Sequence, residues 1–332
     1  MTSAPSPNAE SRPNDPAWAE IIGIGFYVPE ETLNVSIYVV ARPALGVAFA
    51  SVCMNSGDAL VPWRADYCDA RSYLALTQPF DVNDLRFENG LCIRSGYDGV
   101  VSHIAYDDGE GTTIDVAFDA LMAPFLVFDQ TCNPLAPADI PMFAGAEQAH
   151  YEQTGHFRGE LTVRGRRLPV DCVSTLDRGS GPRRERGQVQ PGANMSWLHA
   201  HFGDDFAIHA TMSFDQRRGG TDLALRYGYV LDRGAVHGLR QGIGRVARDD
   251  DLYVETIEVD LTDVSDARYR LTGRALTRFH WPVSHNVFAC TALLGWQHHE
   301  PDRVGYGEVQ DFFETPALQA GAASHLSIGD LS

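Results

Sequence analysis

The chain has 332 residues, a formal charge of −18 and 44% hydrophobic against 21% charged residues, which describes a globular protein long enough for two domains or one large β domain. The acidic balance argues against a nucleic-acid surface, which needs a cationic face, and disfavours an anionic membrane. Lysine is absent and all 26 basic residues are arginine, which excludes Schiff-base chemistry and the lysine of a phosphate-binding P-loop.

In chain order, residues 1–18 (MTSAPSPNAESRPNDPAW) lack a basic start and an apolar stretch, so they read as a disordered arm and not as a signal peptide. Short runs with a period of two follow at 36–40, 47–54, 71–76 and 113–118, separated by turn residues at 55–57 and 108–111. The longest apolar runs, 120–128 and 287–296, are core-sized and too short for a membrane helix. Helical periodicity is sparse, and a turn or two is expected only within 134–153 and again within 302–313. From 157 to 164, Phe157, Gly159, Leu161 and Val163 alternate with Arg158, Glu160, Thr162 and Arg164, and the chain turns near Gly165. Further alternating runs occupy 206–214, 223–231 and 253–261, with turns at 218–220 and 232–234. Many short strands joined by such turns predict an all-β protein of antiparallel sandwiches or barrels, not βαβ units. The stretch richest in Gly, Arg and Pro, 178–192, is where one half is expected to pass to the next.

Several motifs bear on chemistry. Gly242-Ile243-Gly244 lacks the helix pattern and ribose acid of a dinucleotide turn, and no G-x-S-x-G elbow is present. The six cysteines are scattered without a C-x-x-C pair and read as buried, reduced thiols of a cytoplasmic protein. His199 and His201, two apart on a strand, face the same way, which raises a metal site with His209 as third ligand. The Gly and Glu frame of a cupin site is missing around them, so no metal is expected, and His201 is instead a candidate proton partner. Asp177 lies in CVSTLDRGSGPRRERG (172–187), followed by arginines and by glycines that permit an unusual backbone path. A carboxylic acid catalyses when apolar surroundings raise its pKa or a neighbour holds its proton. Asp66, Asp69, Asp171 and Asp205 are alternatives for that acid.

HYEQTGHFRGELTVRG (150–165), followed by LDRGSGPR (176–183), WLHAHFGDD (197–205) and GYGEVQDF (305–312), resembles a two-domain lipocalin-like superfamily. That group includes carotenoid 1,2-hydratases (hydroxyneurosporene synthases), AttH-type proteins, kievitone hydratases and related pericyclases. The resemblance implies two tandem lipocalin-like antiparallel barrels or curled sheets with few short helices. The expected division is 19–180 and 181–322, with a tail at 323–332. It further implies a cofactor-independent hydro-lyase that adds water to, or removes it from, an alkene or alcohol of a small lipophilic, terpenoid substrate. Asp177 would be the acid, Arg178 or Arg183 would position it or an incoming hydroxyl, and Tyr151, Trp197, Phe279 and Trp281 would form an aromatic wall. Where the family pattern has Ser-Trp this chain has Gly179-Ser180, so the pocket is reshaped and the family's substrate does not transfer. An isomerase or cyclase using the same acid, and a non-catalytic carrier of an apolar ligand, are the rival readings. Exposed strand edges leave room for a homodimer.

Overall fold

A computed structural model describes residues 14–96, 100–136, 149–183, 194–215, 220–284, 287–316, 318 and 319. The all-β expectation holds, with one curled half-barrel sheet and one closed barrel of eight strands. The first half contains β1 (Trp18–Val28), β2 (Leu33–Arg42), β3 (Val47–Asn55), β4 (Asp58–Ala59), β5 (Tyr67–Ala75), β6 (Asp84–Arg86), β7 (Cys92–Ser95), β8 (Val101–Asp107), β9 (Thr113–Ala120), β10 (Phe125–Leu126), β11 (Ala149–Val163) and β12 (Arg166–Pro182). The second contains β13 (Met195–His201), β14 (Phe206–Phe214), β15 (Asp222–Asp232), β16 (Ala235–Arg248), β17 (Val254–Asp263), β18 (Arg268–Ala275), β19 (Arg278–Ser284), β20 (Val287–His299) and β21 (Asp302–Glu314).

The first sheet runs β5-β3-β2-β1-β12-β11-β9-β8-β7-β6, with β10 beside β11. In the second, β13 to β18 join β21 and β20, and pairing of β18 with β20 closes the barrel. Strand β4 leaves the first half to pair in parallel with β19 of the second sheet. Two-residue turns make the hairpins tight. Arg164-Gly165 and Arg233-Gly234 both have positive φ, matching the twist of the strands they join.

Each sheet buries one face in its own apolar core. Ile22, Ile24, Phe26, Phe157, Leu161 and Leu176 lie inside the curled sheet, and Leu198, Ile208, Met212, Val259, Leu271 and Val309 fill the barrel. The opposite faces of the two sheets meet, which is why all eleven residues of β1 are buried.

Two expectations change. Residues 302–313 hold no helical turn but form the long strand β21, paired with β20 from Val287↔Glu314 to His299↔Asp302. Tertiary pairing decides here: Val309 and Phe313 enter the barrel core while Glu308 and Gln310 face the other way. Of the other candidate helical stretch, 149–153 belong to β11, 134–136 to a turn, and 137–148 lie outside the described residues. Of the stretch 178–192, where the halves are expected to meet, 178–182 form the end of β12, Arg183 follows it, and 184–192 lie outside the described residues.

Candidate active site

The face that the first sheet turns towards the barrel is polar and small. Register places Glu152 on β11 beside Asp177 on β12, Asp177 beside Gly23 on β1, and Gly23 beside Tyr38 on β2. The neighbouring row is Thr154, Thr175, Gly25 and Ser36. The glycines make room for acids. A Cβ on Gly23 would lie 2.0 Å from Asp177 Oδ1, and one on Gly25 would lie 2.6 Å from Glu308 Oε2.

From the barrel side, β13 presents Trp197, His199 and His201, β14 presents His209, β15 presents Tyr227 and Tyr229, and β21 presents Glu308 and Gln310. Hydrogen bonds cross the seam. The Trp197 indole donates to Glu152 Oε1 at 3.1 Å and the Tyr227 hydroxyl donates to the same oxygen at 3.0 Å. Thr175 Oγ1 lies 3.0 Å from His201 Nε2, and Thr154 Oγ1 lies 2.7 Å from the Tyr229 hydroxyl. Asn34 and Ser36 donate to Glu308 Oε1 at 2.7 and 2.9 Å, and Thr291 donates there as well.

The two adjacent carboxyls differ in environment. Glu152 is fully buried. Its Oε1 also meets His150 Nε2 at 2.9 Å, and its Oε2 is buried without a hydrogen-bond partner among the described residues. Burial pushes Glu152 up to about 8, against the indole and phenol that favour its anion. Asp177 keeps some exposure, and no hydrogen bond to its carboxylate occurs among the described residues. Burial pushes it up to about 7, the charge of Glu152 adds to this, and His150 and Arg183 oppose it. Two neighbouring carboxyls that cannot both ionise easily keep a proton between them near neutrality.

The histidines are neutral bases in this setting. Burial lowers His150 to about 4 and His201 to about 3, and holds His199 and His209 well below the usual imidazole range. His199 and His201 do share one face, with ring centroids 4.7 Å apart, and His209 pairs with His199 in register. Among the described residues no group of three His, Cys, Asp or Glu is arranged to hold a metal ion.

Of the residues expected from sequence, Asp177, Arg183, His201 and Trp197 gather at this seam, and Trp281 joins through Tyr38, ring centroids 5.4 Å apart. Arg178 and Tyr151 do not. Neighbours on a strand point to opposite faces, so both enter the first sheet's own interior. There Arg178 donates to the Val82 carbonyl at 3.0 Å and to Ser95 Oγ at 3.3 Å, and Tyr151 packs in the apolar core. Arg178 therefore does not position the Asp177 carboxylate. Phe279 packs with Cys53, Ala59 and Ala289 beside Trp281.

The alternative acids lie elsewhere. Asp66 caps Ser56 and pairs with Arg164 at 3.0 Å, and Asp69 pairs with Arg71 at 2.7 Å. Asp171, 74% exposed, meets His156, and Asp205, 57% exposed, faces Arg303. Glu152 and Glu308 are the functional candidates that sequence reasoning missed. The available signal was the run of polar residues His150, Glu152, Thr154 and His156 along one face of a long strand.

The fold is shared with solved structures of distant sequence. Kievitone hydratase from Nectria haematococca is 13% identical, with a TM-score of 0.53 and 95% of each chain covered. A putative AttH from Nitrosomonas europaea is also 13% identical, with a TM-score of 0.55, covering 88% of this chain and 91% of that one. The resemblance to the lipocalin-like hydratase superfamily thus stands at the level of the fold. No curated protein sequence matches the chain. Over residues 6–312 the chain matches the family described as a domain of unknown function, DUF7064, and it belongs to that family.

Proposed function

We propose that the chain is a hydro-lyase that needs no cofactor and adds water to, or removes it from, a lipophilic unsaturated substrate of terpenoid type. The observation that carries this reading is the Asp177 carboxyl. It is partly open, held up to about 7, and free of hydrogen bonds from the described residues. Such an acid is protonated in a useful fraction near neutral pH and gives up its proton to a weak base. In hydration, Asp177 protonates one alkene carbon, leaving a cation on the other and a carboxylate on the enzyme. Water then bonds to the cation, and the proton it sheds returns to the Asp177 carboxylate. The reverse sequence protonates a hydroxyl, expels water and takes a proton from carbon.

The surroundings suit a cationic intermediate. Glu152 disfavours full ionisation of the pair and so keeps Asp177 an acid in its resting state. Tyr38, across Gly23 from Asp177, and Trp281, packed on Tyr38, supply aromatic rings on that side of the seam. Thr175 and His201 offer a polar contact to a water on the far side of the row.

A second reading, an isomerase or cyclase, draws support from the same adjacent pair, since one carboxyl can protonate while the other accepts a proton with no net transfer of water. Two fully buried carboxyls in the seam, Glu152 and Glu308, count against a non-catalytic carrier of an apolar ligand, because burying them lowers stability without helping to hold such a ligand.

The test is turnover of unsaturated terpenes and terpene alcohols in heavy-oxygen water, wild type beside Asp177→Asn. Label in the product of the wild type alone supports the hydro-lyase. Unlabelled rearranged product moves the assignment to isomerase or cyclase. Turnover that survives in Asp177→Asn refutes the role of Asp177.

A further inference from the structure

Away from the acid pair, two thiols stand face to face. Cys53 on β3 and Cys68 on β5 are register partners, with their Sγ atoms 3.2 Å apart. Register partners on adjacent antiparallel strands have Cβ atoms about 4.5–5.5 Å apart, so a small approach of the two strands brings them into disulfide range. Cys132 and Cys290 instead donate to backbone carbonyls, and Cys172 lies against the Tyr27 amide.

The pair is asymmetric in a way that suits stepwise oxidation. Cys53 is 1% exposed, while Cys68 sits on the edge strand of the first sheet and is partly open to solvent. The hydrogen bond from Cys53 holds the Cys68 thiol below its usual range, whereas burial raises Cys53 well above it. Cys68 is therefore the thiol that meets an outside reagent, and Cys53 the one that resolves the adduct.

What the two cysteines bracket gives the bond a consequence. Between them the chain leaves the first sheet, forms β4 and pairs with β19 of the second. That excursion is anchored by Arg278 on Asp58, at 3.0 and 2.6 Å, and by the Tyr253 hydroxyl on the Leu60 carbonyl at 2.9 Å. Cys53 and Cys68 also pack against the cluster that includes Phe279, Trp281 and Tyr38. A bond between them would close the base of the segment that docks one half on the other.

We propose that Cys53 and Cys68 are a redox modification site, forming a reversible disulfide by exchange with a low-molecular-weight disulfide such as oxidised glutathione. The Cys68 thiolate attacks one glutathione sulfur, a mixed disulfide forms and one glutathione thiolate leaves. Cys53, losing its proton, attacks the Cys68 sulfur and expels the second glutathione. The protein loses two protons and two electrons, and oxidised glutathione takes both up to become two thiols. The thiol pair stands on this geometry whatever reaction the acid pair performs.

The full-length protein, incubated with oxidised glutathione and then alkylated, is digested without reductant and mapped by mass spectrometry. The expected result is a Cys53–Cys68 cross-linked peptide, an intact mass lower by two hydrogens, and reversal by dithiothreitol. Cys53→Ala is expected to stop at a glutathione adduct on Cys68. The oxidised wild type should also unfold at a temperature several degrees above the reduced form, because the closed loop restricts the unfolded chain. Alkylation of both thiols after oxidant treatment, a glutathione adduct that persists on Cys68 in the wild type, or linkage of either cysteine to a third would each overturn the proposal. The wild-type peptide map decides the matter even if Cys53→Ala does not fold.

Discussion

The raised acid at Asp177 makes a prediction about stability as well as about rate. In the unfolded chain its carboxyl titrates near the ordinary value of 3.8, and in the folded protein at about 7. Well below pH 3.8 both states are protonated and the residue costs nothing. Between the two values the folded state binds a proton that the unfolded state has lost, so stability falls as pH rises, and the full cost is reached once pH exceeds about 7. The separation is about 3 pH units, or about 4 kcal/mol at 1.36 kcal/mol per unit, an upper bound that solvent relaxation around a partly open side chain will reduce. Asp177→Asn keeps the shape and removes the titration. It should therefore gain stability over the wild type from pH 5 to about pH 7 and level off by pH 8, by about 2 kcal/mol in all, while losing turnover. The assay is urea unfolding of both proteins at each pH. Taking the difference between the two cancels the shared carboxylates that do not face Asp177, which leaves the pair of Asp177 and Glu152. If the two stability curves run parallel from pH 5 to pH 8, Asp177 is an ordinary carboxylate and the reasoning about the seam fails.

Three further substitutions probe the same geometry. Glu152→Gln removes the charge that helps hold Asp177 up, so the fall in rate with rising pH should move to lower pH by up to about one unit, read from a pH–rate profile. Gly23→Ala places a methyl 2.0 Å from Asp177 Oδ1, so the carboxyl must swing away. Thermal unfolding should show a loss of about 1–3 kcal/mol and the rate should collapse, whereas near-normal turnover would place the acid elsewhere. Arg178→Met removes donors to Val82 and Ser95 on the opposite face. It should cost about 2 kcal/mol of stability and leave the pH–rate profile where it was.

Much of the architecture was legible because a strand's own alternation records which face meets an apolar core. Phe157, Leu161 and Val163 announced the interior of β11 correctly. The site was less legible for the same reason. His150, Glu152 and Thr154 form a polar face that in one isolated sheet would meet water, and nothing local in the chain says that the second half covers it. Asp177 stands out through its setting in a recognisable segment, and Arg178 is drawn in by adjacency along the chain, which on a strand means opposite faces. The reading of β21 as helical failed on glycines. Gly305 and Gly307 weaken any strand pattern, yet they are there because a Cβ would lie 1.9 Å and 2.0 Å from the carbonyl oxygens of His201 and His199.

The position of the acids follows from how two sheets can share a chain. Each half fills most of its apolar face within itself, and two smaller apolar clusters, around Phe125 with Tyr229 and around Cys53 with Phe279, join the halves, which leaves the rest of their contact free to be polar. A carboxyl placed in either core would have no donors nearby. Placed in the seam, Glu152 and Glu308 find indole, phenol, amide and hydroxyl groups contributed by both sheets. Those donors stabilise the acids without fully offsetting burial, and this leaves Glu152, Glu308 and Asp177 raised rather than depressed. The strength of the acid is thus a property of the docking itself. A change that loosens the seam and admits water should lower the pKa of Asp177 before it unfolds either half, so loss of activity near neutral pH should precede loss of β-structure on heating.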